Sequence, residues 1–312
     1  MIEILLLTIP VYLLVALGYA AVRSNYVTAD SIKPLGLFVV RICVPVLIFG
    51  AVTRSGGGGA QALNWSYIGG YLLASLIVQL LGTMVMWKLL RQSLSLSWIS
   101  SIGISASNSI YFGLPIASMV FGDIAISALA WCIVVEVIVI IPLALTLADT
   151  FGRESKSIGD SLINVAKSLA TNPLVLSLAA AMVFLATGWS IPGTIQRAMD
   201  MLVAVAPGAA LFVVGGTVAS YPINGLWKET AVIGTGKLIV HPILAYFCLS
   251  AMPGLDKELI QIGVLFASVP MLTIFPIFAQ KHGGEMLAST SLIVTTVASF
   301  VTVNILMWMM LG

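Results

Sequence analysis

The sequence predicts an all-α membrane protein. Its ten transmembrane helices form a 5+5 inverted repeat in which the fourth and ninth are broken near their centres. Three observations carry this reading. Hydrophobic residues make up 60% of the 312-residue chain, charged residues only 8%, and the mean hydropathy is +1.10, whereas soluble domains carry roughly 25% charge. The apolar residues fall into ten stretches of spanning length. Three weak internal matches also recur at nearly one displacement: Pro10 with Pro173, Pro45 with Pro207 and Ala106 with Ala267, at 163, 162 and 161 residues.

A spanning helix needs about 20 apolar residues. By that measure the spans are 2–22, 34–53, 65–87, 97–121, 124–147, 171–189, 198–219, 229–251, 259–280 and 287–311. The first contains an acid at Glu3 and no basic leader, so it reads as a helix rather than a cleaved signal. "RSGGGGA" at 54–60 reads as a flexible turn, since its glycines lack the strand and spacing of a phosphate loop. Residues 149–170 hold Asp149, Arg153, Glu154, Lys156, Asp160 and Lys167. They read as a cytoplasmic linker between a first repeat, 1–148, and a second, 171–312. Matching segments include "ASNSIYFGLPI" at 106–116 and "ASVPMLTIFPI" at 267–277. An odd number of helices per repeat inverts the second copy.

Charge sets the orientation. Arg23, Lys33, Lys88, Arg91, Arg153, Lys156, Lys167, Lys228 and Lys281 fall in loops on one side; Arg54, Arg197 and Lys257 fall on the other. The richer side is cytoplasmic by the positive-inside rule, which puts both termini outside. The net charge of +2 argues against a nucleic-acid partner. Cys43, Cys132 and Cys248 lie in apolar stretches without ligand spacing, so disulfides and a metal are not expected. No cofactor is expected either.

The breaks suggest a site. Pro115 cannot continue the preceding helix and suits the start of a new one, and Gly113 permits unusual backbone angles. The fourth span is therefore expected to unwind over 109–114, and the ninth over 269–276 around Pro270 and Pro276. Unpaired backbone at midplane is tolerated only when buried in protein or lining a wet cavity. Half-helix N-termini meeting there would seat an anion. Four ionisable residues lie within spans. Arg41 and Lys237 either snorkel to the surface or offset an anionic substrate. Glu136 either pairs with Lys237 or serves proton coupling. His241, four residues after Lys237, reads as a packing histidine, and Gln79 as an interhelical hydrogen bonder.

These residues carry a family resemblance. "NSIYFGLP" at 108–115 is similar to the Asn…Gly-x-Pro signature of the auxin efflux carrier family. "IPVYLLVALGYAAV", "VVRICVPVLIFGAV", "NPLVLSLAA", "GKLIVHPILA" and "SVPMLTIFPIFAQKHGG" resemble its first, second, sixth, eighth and ninth helices in order. The likeness is to the bacterial malonate and organic-acid permease branch. It implies a scaffold domain of helices 1, 2, 6 and 7, a transport domain of helices 3–5 and 8–10, and crossing of helices 4 and 9. It also implies elevator-like transport of organic anions and a homodimer formed through the scaffold. Asn108, Gly113 and Pro115 correspond to first-crossover residues and Pro270 to the second-crossover proline. Val269 stands where the repeat register would place a partner for Asn108. The substrate-binding candidates are Ser107, Asn108, Gly113 and Pro115 at one break and Ser268, Pro270 and Thr273 at the other. Lys237, Arg41 and Glu136 are the charge candidates.

The expected function is thus secondary transport of a small organic anion, such as a mono- or dicarboxylate or an auxin-like acid. H+ or Na+ is the candidate coupling ion, and the cell (plasma or inner) membrane the location. The alternative is a cation/proton antiporter, which would want acids at the crossing; both breaks lack one in sequence. An enzyme is not expected, because two histidines and scattered carboxylates form no catalytic set.

Overall fold

The computed structural model describes residues 2–54, 63–152, 169–222 and 226–311, with isolated positions between 159 and 167. The glycine turn at 55–60 and the linker residues Arg153, Glu154, Lys156 and Asp160 lie outside the described residues. The helices are α1 (Ile2–Arg23), α2 (Ala29–Phe38), α3 (Val44–Arg54), α4 (Trp65–Met84), α5 (Leu94–Ser105), α6 (Leu114–Phe121), α7 (Ile124–Ile133) and α8 (Ile141–Thr150). They continue as α9 (Pro173–Thr187), α10 (Gly193–Ser220), α11 (Trp227–Thr235), α12 (His241–Ser250), α13 (Lys257–Ser268), α14 (Phe275–Gln280) and α15 (Glu285–Leu311). Among the described residues, six helical runs are long and apolar enough to span a membrane: Ala29–Thr53, Trp65–Leu89, Ile124–Thr150, Gly193–Ser220, Trp227–Ser250 and Glu285–Leu311. Shorter apolar helices accompany them. This is a multi-pass membrane protein.

Several spans join two α-helices through a π-turn. Among the described residues the π-turns are Val39–Cys43, Val85–Leu89, Ser109–Gly113, Val134–Ile140 and Gly236–Val240. Four of the five run directly into a helix with proline at its second position: Pro45, Pro115, Pro142 and Pro242. The cause is local. Proline lacks an amide hydrogen and its ring crowds the carbonyl four residues back, and one wider turn relieves both problems.

Two expectations shift. The sixth span is shorter than 171–189, because Asn172 caps α9 by accepting from the Leu174 amide at 2.9 Å and Gly188 ends it at φ 65°. The unwinding expected at 109–114 lies instead at 106–108, and 109–113 is helical. Gly113 has ordinary helical angles. Its missing side chain matters for packing, since a Cβ there would stand 2.7 Å from the Phe266 ring.

Helix α1 lies along α10, and α9 packs on α3. The α1–α10 approach is at backbone range: a Cβ on Gly18 would meet the Phe212 carbonyl oxygen at 2.1 Å, and one on Gly215 the Val15 oxygen at 1.9 Å. Small residues permit such contact where lipid supplies no hydrophobic drive. The remaining helices pack around α4, α5 and α13, with α12 on both α4 and α13. Few contacts join the two sets. They include Tyr12 against Phe112 and Phe300, the Tyr111 hydroxyl donating to the Gly36 carbonyl at 2.9 Å, and Thr8 donating to Asn304 at 2.7 Å.

Candidate functional site: the crossing and the polar network behind it

The fourth and ninth spans meet at their breaks. Ala106 is extended at φ −103°, ψ 135°, and Val269 at φ −72°, ψ 162°. Ser107 and Met271 form an antiparallel bridge, and the Asn108 amide donates to the Pro270 carbonyl at 2.8 Å. Backbone groups freed by one break are thus satisfied by the other, as a low-dielectric interior demands.

Asn108 starts the second half of its span. Its side-chain oxygen accepts from the Tyr111 amide at 3.3 Å, and its carbonyl accepts from Phe112 and Gly113 at 2.9 and 3.0 Å. The Asn108 side-chain nitrogen, in a residue only 3% exposed, has no partner. A buried donor left unpaired costs about 1–3 kcal/mol, so this is a group awaiting an acceptor. Pro115 is buried at the second position of α6. On the other side Ser268 donates to the Leu265 carbonyl of its own helix at 2.8 Å. Pro270 supplies a carbonyl, and Thr273 sits buried in the turn before α14.

Behind the crossing lies a polar network. Glu136 is 3% exposed and Lys237 fully buried. They form no direct ion pair, because Ser107 stands between them. The Ser107 amide donates to Glu136 Oε1 at 3.1 Å, and the Ser107 hydroxyl accepts from the Lys237 ammonium. Glu136 Oε1 also accepts from the Tyr71 hydroxyl at 3.0 Å and from Ser109 at 3.3 Å. Lys237 donates further to the Ala267 carbonyl at 3.0 Å and to His241 Nδ1 at 3.1 Å. An ammonium donating to Nδ1 requires the tautomer with hydrogen on Nε2, which then donates to Ser75 at 3.2 Å.

The sequence candidates therefore divide. Ser107, Asn108, Glu136, Lys237 and Pro270 come together. Arg41 is exposed on its π-turn and does not join them. Lys237 turns its three N–H groups onto the breaks and His241 rather than outward. His241 is buried with both ring nitrogens hydrogen-bonded, a satisfied packing histidine as expected, and its partners make it part of the network. Gln79 bonds between helices as expected, donating to the Ile140 carbonyl at 3.0 Å. Tyr71, Ser75 and Ser109 are functional candidates that sequence reading missed. A signal existed: Tyr67, Tyr71, Ser75 and Gln79 recur every four residues on α4, a polar stripe on an apolar helix, and all are buried.

An apolar helical bundle, two helical segments broken and paired at their breaks, and an unpaired donor at the junction describe a membrane transporter. Residues 4–307 match the family described as membrane transport protein, and the chain belongs to that family, which includes the auxin efflux carriers. It is similar over 99% of its length to a protein named "Putative malonate transporter" from Rhizobium meliloti (strain 1021), at 25% identity and covering 96% of that relative. It is 21% identical to auxin efflux carrier component 5 of Arabidopsis thaliana, covering 88% of this chain and 87% of the relative. It also matches the lysosomal cholesterol signaling protein of Mus musculus at 25% identity, over 95% of this chain and 36% of that protein. The family is one of transporters, not enzymes.

Proposed function

We propose that this protein is a secondary carrier of a small organic anion, a mono- or dicarboxylate or an auxin-like acid, seated at the crossing. The observation that carries the reading is the unpaired side-chain nitrogen of Asn108, at the positive N-terminal end of the 13-residue helical run Ser109–Phe121. A carboxylate is the acceptor that both the donor and the dipole favour. The relatives' names agree with an acidic substrate.

The ten spans form a 5+5 inverted repeat. Helices α1–α3, α9 and α10 act as a scaffold that dimerises, and the others move against it as an elevator. The sparse contacts between the two sets, among them Tyr111 with Gly36 and Thr8 with Asn304, support this division. The carrier sits in the cell membrane with both termini outside. A thiol introduced at 55–60 then labels from outside and one at 155–158 does not.

Asn108→Ala tests the site. It weakens binding of the best ligand in a panel of mono- and dicarboxylates by about 1–3 kcal/mol, on top of a stability loss of about 0.5–2 kcal/mol from the lost Tyr111 cap, and Asn108→Asp, which keeps the cap but not the donor, weakens binding without that loss. Unchanged affinity would move the pocket elsewhere. The cation/proton antiporter remains the second reading, because the crossing does reach an acid: Glu136 binds the Ser107 amide from a neighbouring span. In that case cations, and not carboxylates, would shift the thermal midpoint.

A further inference from the structure

The geometry points to a proton site behind the crossing: Glu136 takes up one proton, with the Lys237 ammonium as its resident counter-cation, and that proton travels with the anion. The inference rests on the organic-anion reading for its cargo, but the proton site stands on hydrogen-bond geometry alone.

Lys237 has three N–H groups and three acceptors, the Ser107 hydroxyl, the Ala267 carbonyl and His241 Nδ1. That set fits a charged ammonium with nothing left for a substrate. Glu136 Oε1 accepts three hydrogen bonds, from Tyr71, Ser107 and Ser109. Its other oxygen, Oε2, has only Ser109 at 3.5 Å. An ionised carboxylate and an ammonium make the network neutral as it stands, and Oε2 is the lightly served atom where a proton can bind. Loading it converts carboxylate to acid and gives the network one net positive charge.

The hydroxyls define a route. Ser107 accepts from Lys237 and Tyr71 gives its hydrogen to Glu136, so in the 3.4 Å contact between them Ser107 is the donor. The chain Lys237, Ser107, Tyr71, Glu136 therefore runs in one direction. A concerted shift along it breaks one N–H and two O–H bonds. It forms two O–H bonds on the hydroxyls and one on Glu136 Oε1, leaving neutral lysine and neutral acid, and one incoming proton on the lysine then restores the ammonium and completes the uptake. The other ionisable groups packed here are Tyr67 of α4, whose hydroxyl lies 3.4 Å from the Cys132 thiol of α7, and His241 of α12. Residues 106–108 and 269–274 of the breaks carry no ionisable side chain, and the two of α13, Lys257 and Glu258, lie in its first turn.

A metal cation fits poorly. The oxygens that would ligate it already receive hydrogen bonds, the resident ammonium repels it, and no group of three His, Cys, Asp or Glu occurs among the described residues.

Coupling follows from adjacency in the chain at the first break. Ser107 faces the network, and the next residue, Asn108, offers its free nitrogen. Anion and proton are then one residue apart, and each raises affinity for the other by the same factor.

Two measurements test this. The first needs no substrate: infrared pH titration of purified protein in nanodiscs. A protonated-carboxyl band that titrates in the wild type is expected to vanish in Glu136→Gln and to shift in Tyr71→Phe. A band unchanged in Glu136→Gln overturns the proton site. The second uses the tightest carboxylate of the panel above, at pH values where it is fully ionised. Wild-type affinity rises by up to about tenfold per unit fall in pH and ignores Na+. Glu136→Gln, a fixed mimic of the neutral acid, binds with no pH dependence. Retained pH dependence in that variant, or Na+ dependence in the wild type, overturns the coupling. Should no carboxylate bind while the infrared band behaves as stated, the cargo assignment fails and the proton site survives.

Discussion

The two breaks lie in segments of similar sequence, 106–116 and 267–277, yet are built differently. The first is polar: Ser105, Ser107, Asn108 and Ser109 are all buried, and two of them hold Glu136 while Ser107 also holds Lys237. The second is apolar at its centre, with Val269, Pro270 and Met271 buried. It contributes through its main chain, the Pro270 carbonyl accepting from Asn108 and the Ala267 carbonyl from Lys237. One break carries side-chain chemistry, and the other supplies acceptors and shape. Similar sequence at the two breaks therefore need not mean similar chemistry.

The largest test of this asymmetry removes the cation serving both breaks. Lys237→Gln leaves a buried carboxylate without its counter-charge, which costs about 3–5 kcal/mol. Thermal unfolding in detergent should register that loss, and Glu136→Gln in the same chain should recover most of it. If the double variant is no more stable than Lys237→Gln, the two charges do not depend on each other.

Next comes the approach of the two breaks. Gly113→Ala puts a methyl 2.7 Å from the Phe266 ring, and overpacking of this kind costs about 1–3 kcal/mol. Phe266→Leu should relieve it. A fully stable Gly113→Ala would mean the ring moves aside freely.

A smaller effect addresses the apolar break. If its contribution is mainly main-chain, Thr273→Val should alter carboxylate affinity by less than about 1 kcal/mol, the size of one ordinary hydrogen bond. A larger loss, measured by calorimetry, would make the second break an equal partner.

The smallest effect lies at the membrane edge, where the His282 loop meets the end of α8. His282 stands 3.5 Å from Asp149 and 3.0 Å from Ser95. Burial pushes its imidazole below the ordinary value, partly opposed by Asp149. A base with a lowered folded-state pKa contributes fully above its unfolded value, near 6.5, and loses that contribution as pH falls below it. The thermal midpoint should therefore drop slightly more steeply on acidification in the wild type than in His282→Gln. Equal slopes would assign the acid sensitivity elsewhere.

Much of the fold is legible in the sequence because lipid enforces simple rules: apolar length marks spans, and proline marks interruptions. The first break falls earlier in the chain than its proline alone suggests. Pro115 is a good helix starter, but Asn108 is a stronger one. Its side chain caps the Tyr111 amide, so the helix begins at Ser109 and a π-turn absorbs the proline. Arg41 and Lys237 both read as charges inside spans, and periodicity could not tell the exposed one from the buried one.

The sequence by itself determined the membrane class, the apolar stretches and the existence of two interruptions. These depend on composition and on contacts within a few residues. Only the tertiary structure decided which groups meet. Ser107 and Lys237 are 130 residues apart in the chain, and Glu136 and Tyr71 are 65 apart. A buried charge must find partners that fit its hydrogens one for one, and packing of distant helices, not local spacing, brings those partners within reach.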